Sequence, residues 1–226
     1  MNVLRSVWLI FRKDVVTEFR NREVIATMVL FSVLLVVIVA FSLSIDETRA
    51  RLVGSGIVWI VVLFAGTLGL GRVFEREKEN GCLAGLLLSP AGPGPIFIAK
   101  VLGLVVFMLI TEAITLPLAF AFIGMSIVPQ NLWILVLALL LGTFAFAFVG
   151  TLFAAMFSSA RLKDVLLPVV VYPVVSPVLI AGVKLTEIAM GVGLESDLEG
   201  WLRLMAAFAL LFAAIPTWLF GKVMLD

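Results

Sequence analysis

Residues 64–81 read FAGTLGLGRVFEREKENG. An uncharged run of small and apolar residues gives way at Arg72 to a segment in which acidic and basic side chains alternate. Followed backwards, the uncharged run reaches Leu52. At about 1.5 Å per residue that is enough helix to cross roughly 30 Å of hydrocarbon. The stretch therefore reads as a membrane span that ends in a charged, solvent-facing segment stopped by Gly81.

The same pattern recurs along the chain. Uncharged or nearly uncharged runs lie at about Val24–Ile45, Leu52–Gly71, Ile96–Gly124, Leu132–Phe157, Val165–Val183 and Leu202–Gly221. With 63% hydrophobic and 14% charged residues among 226, and a mean hydropathy of +1.23, the chain carries more apolar surface than one soluble core can bury. The expected fold is an all-α integral membrane protein of six transmembrane helices, a single domain over 1–226. Residues 72–95 form its longest polar insertion.

Ahead of the first span, Leu4, Trp8, Phe11, Val15 and Phe19 recur at steps of three and four, with Arg5, Arg12, Lys13 and Arg20 on the other side. This periodicity predicts an amphipathic interfacial helix over 1–23 that lies on an anionic membrane surface. A cleaved signal peptide is the competing reading, but the apolar run from Val24 to Ile45 is longer than the roughly 7–15 residues such a peptide uses. In the six-span arrangement Arg5, Arg12, Lys13, Arg20, Arg22, Arg72, Arg76, Lys78, Lys100, Arg161, Lys163 and Lys222 fall on one side of the membrane. Only Arg49, Arg51, Lys184 and Arg203 fall on the other. Basic residues are retained in the cytoplasm, so both termini are expected there. The external connection from Lys184 to Trp201 carries Glu187, Glu195, Asp197 and Glu199, and reads equally as a solvated linker or as a short helix.

Several chemistries are disfavoured by composition. The net charge of +1 offers no concentrated basic surface for nucleic acid. The single Cys82 rules out an intrachain disulfide, and no cysteine spacing suggests a metal site. There is no histidine, which removes the commonest general base, zinc ligand and axial haem ligand. No nucleotide-binding loop of the form G-x-x-x-x-G-K-[ST] occurs. Gly66, Gly69 and Gly71 lie inside a span and read as close helix packing.

The pattern Glu75-x-Glu77 with Gly81, Leu83 and Ser89-Pro90, placed just after the second span and before Lys100, resembles the loop of ABC-2-type exporter permeases. More narrowly, residues 64–81 are similar to the haem exporter B (CcmB) family of cytochrome c maturation, and length, span count and amphipathic start extend the resemblance to the whole chain. Ala84 stands where many relatives carry an acidic residue. The resemblance implies an ABC-2 (type V exporter-like) permease architecture, present as a homodimer, without catalytic residues of its own. It implies that 72–95 is a cytoplasmic coupling loop on which a separate ATPase subunit docks, with Arg72, Glu75, Arg76, Glu77 and Glu79 matching its charged part. The partners it implies are the ATPase CcmA, the membrane proteins CcmC and CcmD, and the haem chaperone CcmE. ATP would be bound by the ATPase, haem would be handled by the complex, and the setting would be the bacterial inner membrane. The event served would be release of the haem-loaded chaperone. An ABC-2 permease for a lipid, glycan or drug is the alternative. A membrane-embedded transferase would need an aspartate cluster, whereas Asp14 and Asp164 are the aspartates on that side before Asp226.

Three further features stand out. Glu112 lies twelve residues past Lys100, about 18 Å deeper along a helix, where a carboxyl group must face a partner, water or a neighbouring helix, or be protonated. Ala138, Gly142, Gly150 and Ala154 share a four-residue register that reads as a helix-packing face, within the chain or between two copies. Pro168, Pro173 and Pro177 predict bends in the fifth span. The tryptophans Trp8, Trp59, Trp133, Trp201 and Trp218 are scattered rather than clustered as in the Trp-rich haem proteins. With histidine absent, the subunit is expected to transmit movement more than to hold haem.

Overall fold

The computed structural model describes residues 3–42, 47–75, 77, 81, 85, 91–158, 160 and 162–223, and of 47–52 and 216–223 the backbone alone. Helix α1 spans Val3–Asn21, α2 Glu23–Ser42, α3 Glu47–Arg72, α4 Pro93–Ile123, α5 Leu132–Met156, α6 Lys163–Ala189 and α7 Leu198–Val223. Single 3-10 turns precede α5, at Pro129–Asn131, and α7, at Glu195–Asp197. Among the described residues there is no strand. Helices α2 to α7 each contain a stretch long and apolar enough to cross a membrane. The chain is thus an all-α, multi-pass membrane protein.

The two ends of the chain's first turn-around illustrate how local chemistry sets the path. Helix α1 stops at Arg22, whose φ of 56° is left-handed, a conformation glycine usually supplies. The backbone then turns into α2, whose first amides have no intrahelical partner. Glu18, 2% exposed, meets that need: its Oε1 accepts the N–H of Val24 at 2.6 Å and of Ile25 at 3.0 Å. The negative charge also complements the positive end of the α2 dipole.

Helix α1 faces two ways. Leu4, Trp8 and Phe19 point outward and are exposed, as an interfacial helix requires of the side that meets lipid. The inward face carries Ser6, Ile10, Asp14 and Glu18 at helical spacing, and it packs on α4.

Helix α3 is a hub, in contact with α2, α4, α5 and α6. Of its best apolar stretch 61% of residues are buried within the chain, against 6% for α7, which lies at the periphery. Small residues make the hub possible. The Trp59 ring lies against Gly142 of α5 and Gly182 of α6, where added Cβ atoms would come within 2.4 Å and 2.2 Å of it. Its Nε1 donates to Thr186 Oγ1 of α6 at 3.0 Å. Gly150 receives Leu70 in the same way, and Gly66 accommodates Phe146 and Met108. The small-residue register on α5 is therefore a packing face occupied by α3 of the same chain. The three prolines lie inside a helix assigned as continuous, which runs on past Val183 to Ala189 and so takes Lys184 and Glu187 into its last turns.

Because an aromatic ring cannot step aside as a flexible side-chain tip can, Gly142→Ala is expected to cost about 1–3 kcal/mol. Gly56, whose added Cβ meets nothing within 4 Å, is the control. Thermal unfolding in mild detergent should show a lowered midpoint for Gly142→Ala and an unchanged one for Gly56→Ala.

Candidate coupling site

Glu75 and Glu77 both have helical backbone. Two residues apart on a helix, their side chains diverge by about 200°, so they serve different neighbours. Glu75 turns to the side of α6, where Lys163 Nζ lies 3.1 Å from its Oε1, and it also pairs with Arg72. The same Lys163 ammonium lies 3.4 Å from the Gly71 carbonyl at the end of α3, where a cation complements the negative end of the helix dipole.

Glu77 turns the other way, into the junction of α1 and α4. Its Oε1 accepts from Lys13 Nζ and from Lys100 Nζ, each at 2.7 Å. Asp14 closes the circuit: Oδ1 is 3.0 Å from Lys13 Nζ, and Oδ2 is 2.9 Å from Lys100 Nζ. The four groups carry no net charge. Lys100 is 4% exposed, and its ammonium also lies 5.7 Å from the centre of the Phe74 ring, an arrangement that adds cation–π attraction.

The electrostatics follow from this geometry. For Glu77, burial works against ionisation, but attraction to Lys100 and hydrogen bonds from Lys100 and Lys13 outweigh it and hold the carboxyl below its ordinary value. Glu75 is likewise lowered, burial being overcome by the hydrogen bonds from Lys163 and Arg72. Lys13 is raised, because its bonds to Glu77 and Asp14 outweigh burial. Each interaction favours the charged form in place.

Of the five charged residues singled out in the sequence, Arg72, Glu75 and Glu77 are described; Arg76 and Glu79 lie outside the described residues, as does most of Gly81–Pro90. Arg72 is half-exposed, Glu75 partly buried and Glu77 6% exposed. The charge of Glu77 is thus directed into the protein. Sequence reasoning did not single out Lys13, Asp14 and Lys100 as the company of Glu77, or Lys163 as that of Glu75. A signal existed for Lys100 and Asp14, a lone charge at the start of an apolar helix and a carboxylate in a basic amphipathic one, but nothing in the local pattern pairs them.

Glu112 sits apart, 4% exposed between α4 and α5, and its Oε1 accepts from Thr143 Oγ1 at 2.7 Å. Among the described residues its Oε2 has no hydrogen-bond partner. The contact gives this carboxyl the neighbouring helix that its depth demands.

The model of the family described as CcmB protein matches residues 5–224. Heme exporter protein B of Pseudomonas aeruginosa is 25% identical over 210 residues, 89% of this chain and 90% of that protein. The protein of the same name from Rhodobacter capsulatus is 32% identical over 160 residues, 70% of this chain and 71% of its own length. That of Haemophilus influenzae is 27% identical over 199 residues, covering 88% and 87%.

Removing one member of a buried charge cluster leaves the others uncompensated, so Glu77→Ala is expected to cost about 3–5 kcal/mol, read as a lowered unfolding midpoint and loss of amide protection in α1. The pH dependence has a defined sign. With folded values below the ordinary 4.5, Glu75 and Glu77 contribute stability that is complete above pH 4.5 and is lost as pH falls through their lowered values. Lys13, raised above 10.5, contributes below that pH and is lost as pH rises through its folded value. Protection factors for α1 should be flat across neutral pH and drop at both extremes; in Glu77→Gln the acid drop should shrink.

Proposed function

The chain belongs to the CcmB family, and from that premise we propose that it is the membrane subunit through which a separate ATPase drives a step of haem export in cytochrome c maturation. The segment after α3 receives the ATPase. Movement imposed there reaches α1 and α4 through Glu77, and α6 through Glu75. A rigid-body change of this kind needs contacts that hold in more than one direction, because a loop fastened on one side alone would flex without moving its neighbours.

The observation that carries this reading is the double hold on the segment. Two carboxylates two residues apart are bound by lysines from three other helices, Lys13 of α1, Lys100 of α4 and Lys163 of α6. In this reading the docking surface proper is made by the neighbouring residues, and Glu75 and Glu77 transmit. The absence of histidine fits a subunit that passes on conformational change while haem is held elsewhere. The names of the relatives support haem as the cargo of the complex. The partners that fit are the ATPase CcmA, the membrane proteins CcmC and CcmD, and the chaperone CcmE, whose haem-loaded form is released. Two copies of this chain form the core, with both termini cytoplasmic in the bacterial inner membrane.

Charge reversal at Glu75 and Glu77 together tests the proposal in the assembled complex. Hydrolysis by the ATPase should lose its dependence on this subunit, and the yield of mature c-type cytochrome should fall about fivefold or more, the loss expected when a coupling free energy of about 1–3 kcal/mol is removed. Continued co-purification of the ATPase would mark these residues as transmitters, and its loss would mark them as docking contacts. Unchanged hydrolysis, co-purification and cytochrome yield would overturn the reading.

A further inference from the structure

Between α1, the end of α3 and the start of α4 lies a cavity of about 350 Å³. The α4 wall is formed by Lys100, Gly103, Leu104 and Phe107, positions that share one helix face. Along it the lining passes from charge to hydrocarbon over about 10 Å. The rest of the lining comes from Lys13, Asp14, Thr17 and Glu18 of α1 and from Arg72 and Glu77, with Val24 and Gly69 among them. Gly103 is buried, yet an added Cβ would meet no atom within 4 Å. At this point the helix surface faces open space inside the protein.

The charges at the polar end are not equally accessible. Asp14 and Glu77 are 17% and 7% exposed and are held by lysines, and Glu18 is held by the amides of α2. The cations Lys13 and Arg72 are 53% and 51% exposed. Both cations are themselves paired, Lys13 with Glu77 and Asp14 and Arg72 with Glu75, but their exposure leaves them, rather than the buried carboxylates, within reach of a visiting group. The outward apolar face of α1, with Leu4, Trp8 and Phe19, sets this end of the cavity at the depth of lipid headgroups.

We propose that this cavity holds one membrane phospholipid, its phosphate between Lys13 and Arg72 and the first part of an acyl chain along Gly103, Leu104 and Phe107. A guanidinium and an ammonium together suit a phosphate, the one by its fork and the other by its compact charge. The volume is at the lower end of the range for ligand pockets, about 300–1,000 Å³, enough for a headgroup and the upper chain carbons. The remainder of the lipid stays in the bilayer. Because the lining carboxylates are largely buried while the cations are half-exposed, an ammonium headgroup finds little to bind, and an anionic lipid is preferred to a zwitterionic one. The site wedges α1 against α4 beside the Glu77 cluster. It goes beyond the coupling reading and does not depend on it.

The test uses the full chain in nanodiscs made from equal amounts of phosphatidylglycerol and phosphatidylethanolamine, released into mild detergent for native mass spectrometry. The wild-type chain should retain one phospholipid, with phosphatidylglycerol favoured about tenfold, the discrimination given by roughly 1.4 kcal/mol. Gly103→Leu, which puts a side chain into the cavity, should lose the retained lipid, and Gly103→Ala should keep it. The double variant Lys13→Gln/Arg72→Gln should bring the two headgroups to equal retention. Helical circular dichroism and cooperative melting identify a variant that has not folded. Absence of a retained lipid from the wild type, or equal retention by a folded Gly103→Leu, would overturn the proposal. If Gly103→Leu does not fold, the headgroup ratio decides, and a ratio unchanged in the double variant overturns it. None of these readouts involves the ATPase, so they fail or succeed separately from the coupling proposal.

Discussion

A lysine ammonium buried near the end of an apolar helix has to be neutralised, since leaving it unpaired costs several kcal/mol. Lys100, in the second turn of α4, meets this constraint by drawing Asp14 from α1 and Glu77 from the segment after α3. Three parts of the chain that are far apart in sequence are thereby fixed at one point. Lys13 then completes the cluster, which carries no net charge and sits where the bundle meets water. The placement of α1 against α4 and the attachment of the charged segment both depend on it.

The rest of the bundle gives that cluster something firm to act on. Helix α3 ends directly before the segment, and its other contacts are stiff: the Trp59 ring between Gly142 and Gly182, its bond to Thr186, and Leu70 in the notch at Gly150. A second attachment, Lys163 to Glu75, joins the start of α6 to the same segment. Displacement of the segment would thus be shared by α1, α3, α4 and α6. Helix α7, mostly exposed to its surroundings within the single chain, stands outside this group.

Much of the architecture was legible in the sequence, because a span is a local property. Length and apolarity locate each helix within a few residues, and the spacing of Leu4, Trp8 and Phe19 announces an interfacial one. The glycines of α3 were legible as packing positions, but their occupants were not. That Trp59 fills Gly142 depends on how α3 crosses α5, which no local pattern encodes. The site was half legible for the same reason. Glu75 and Glu77 stand out in a charged run, and the obvious reading gives both to a partner. The structure brings Lys100 to Glu77 across 23 positions and Lys13 across 64, separations at which sequence alone assigns no partner. In the sequence those lysines entered only the count of basic residues on either side of the six spans. Glu112 was recognised by its depth, while Thr143 could not be identified as its hydrogen-bond donor from spacing.

The central claim is that movement of the segment after α3 reaches α1 through Glu77. The most direct measurement is the distance between spin labels at Arg12 on α1 and Met156 at the end of α5, both exposed, in a Cys82→Ser background within the ATPase-bound complex. The account predicts a distance distribution that shifts between nucleotide-free and ATP-bound states in the otherwise native chain and stays fixed in Glu77→Gln. An equal shift in Glu77→Gln, or no shift in the native chain, would contradict it.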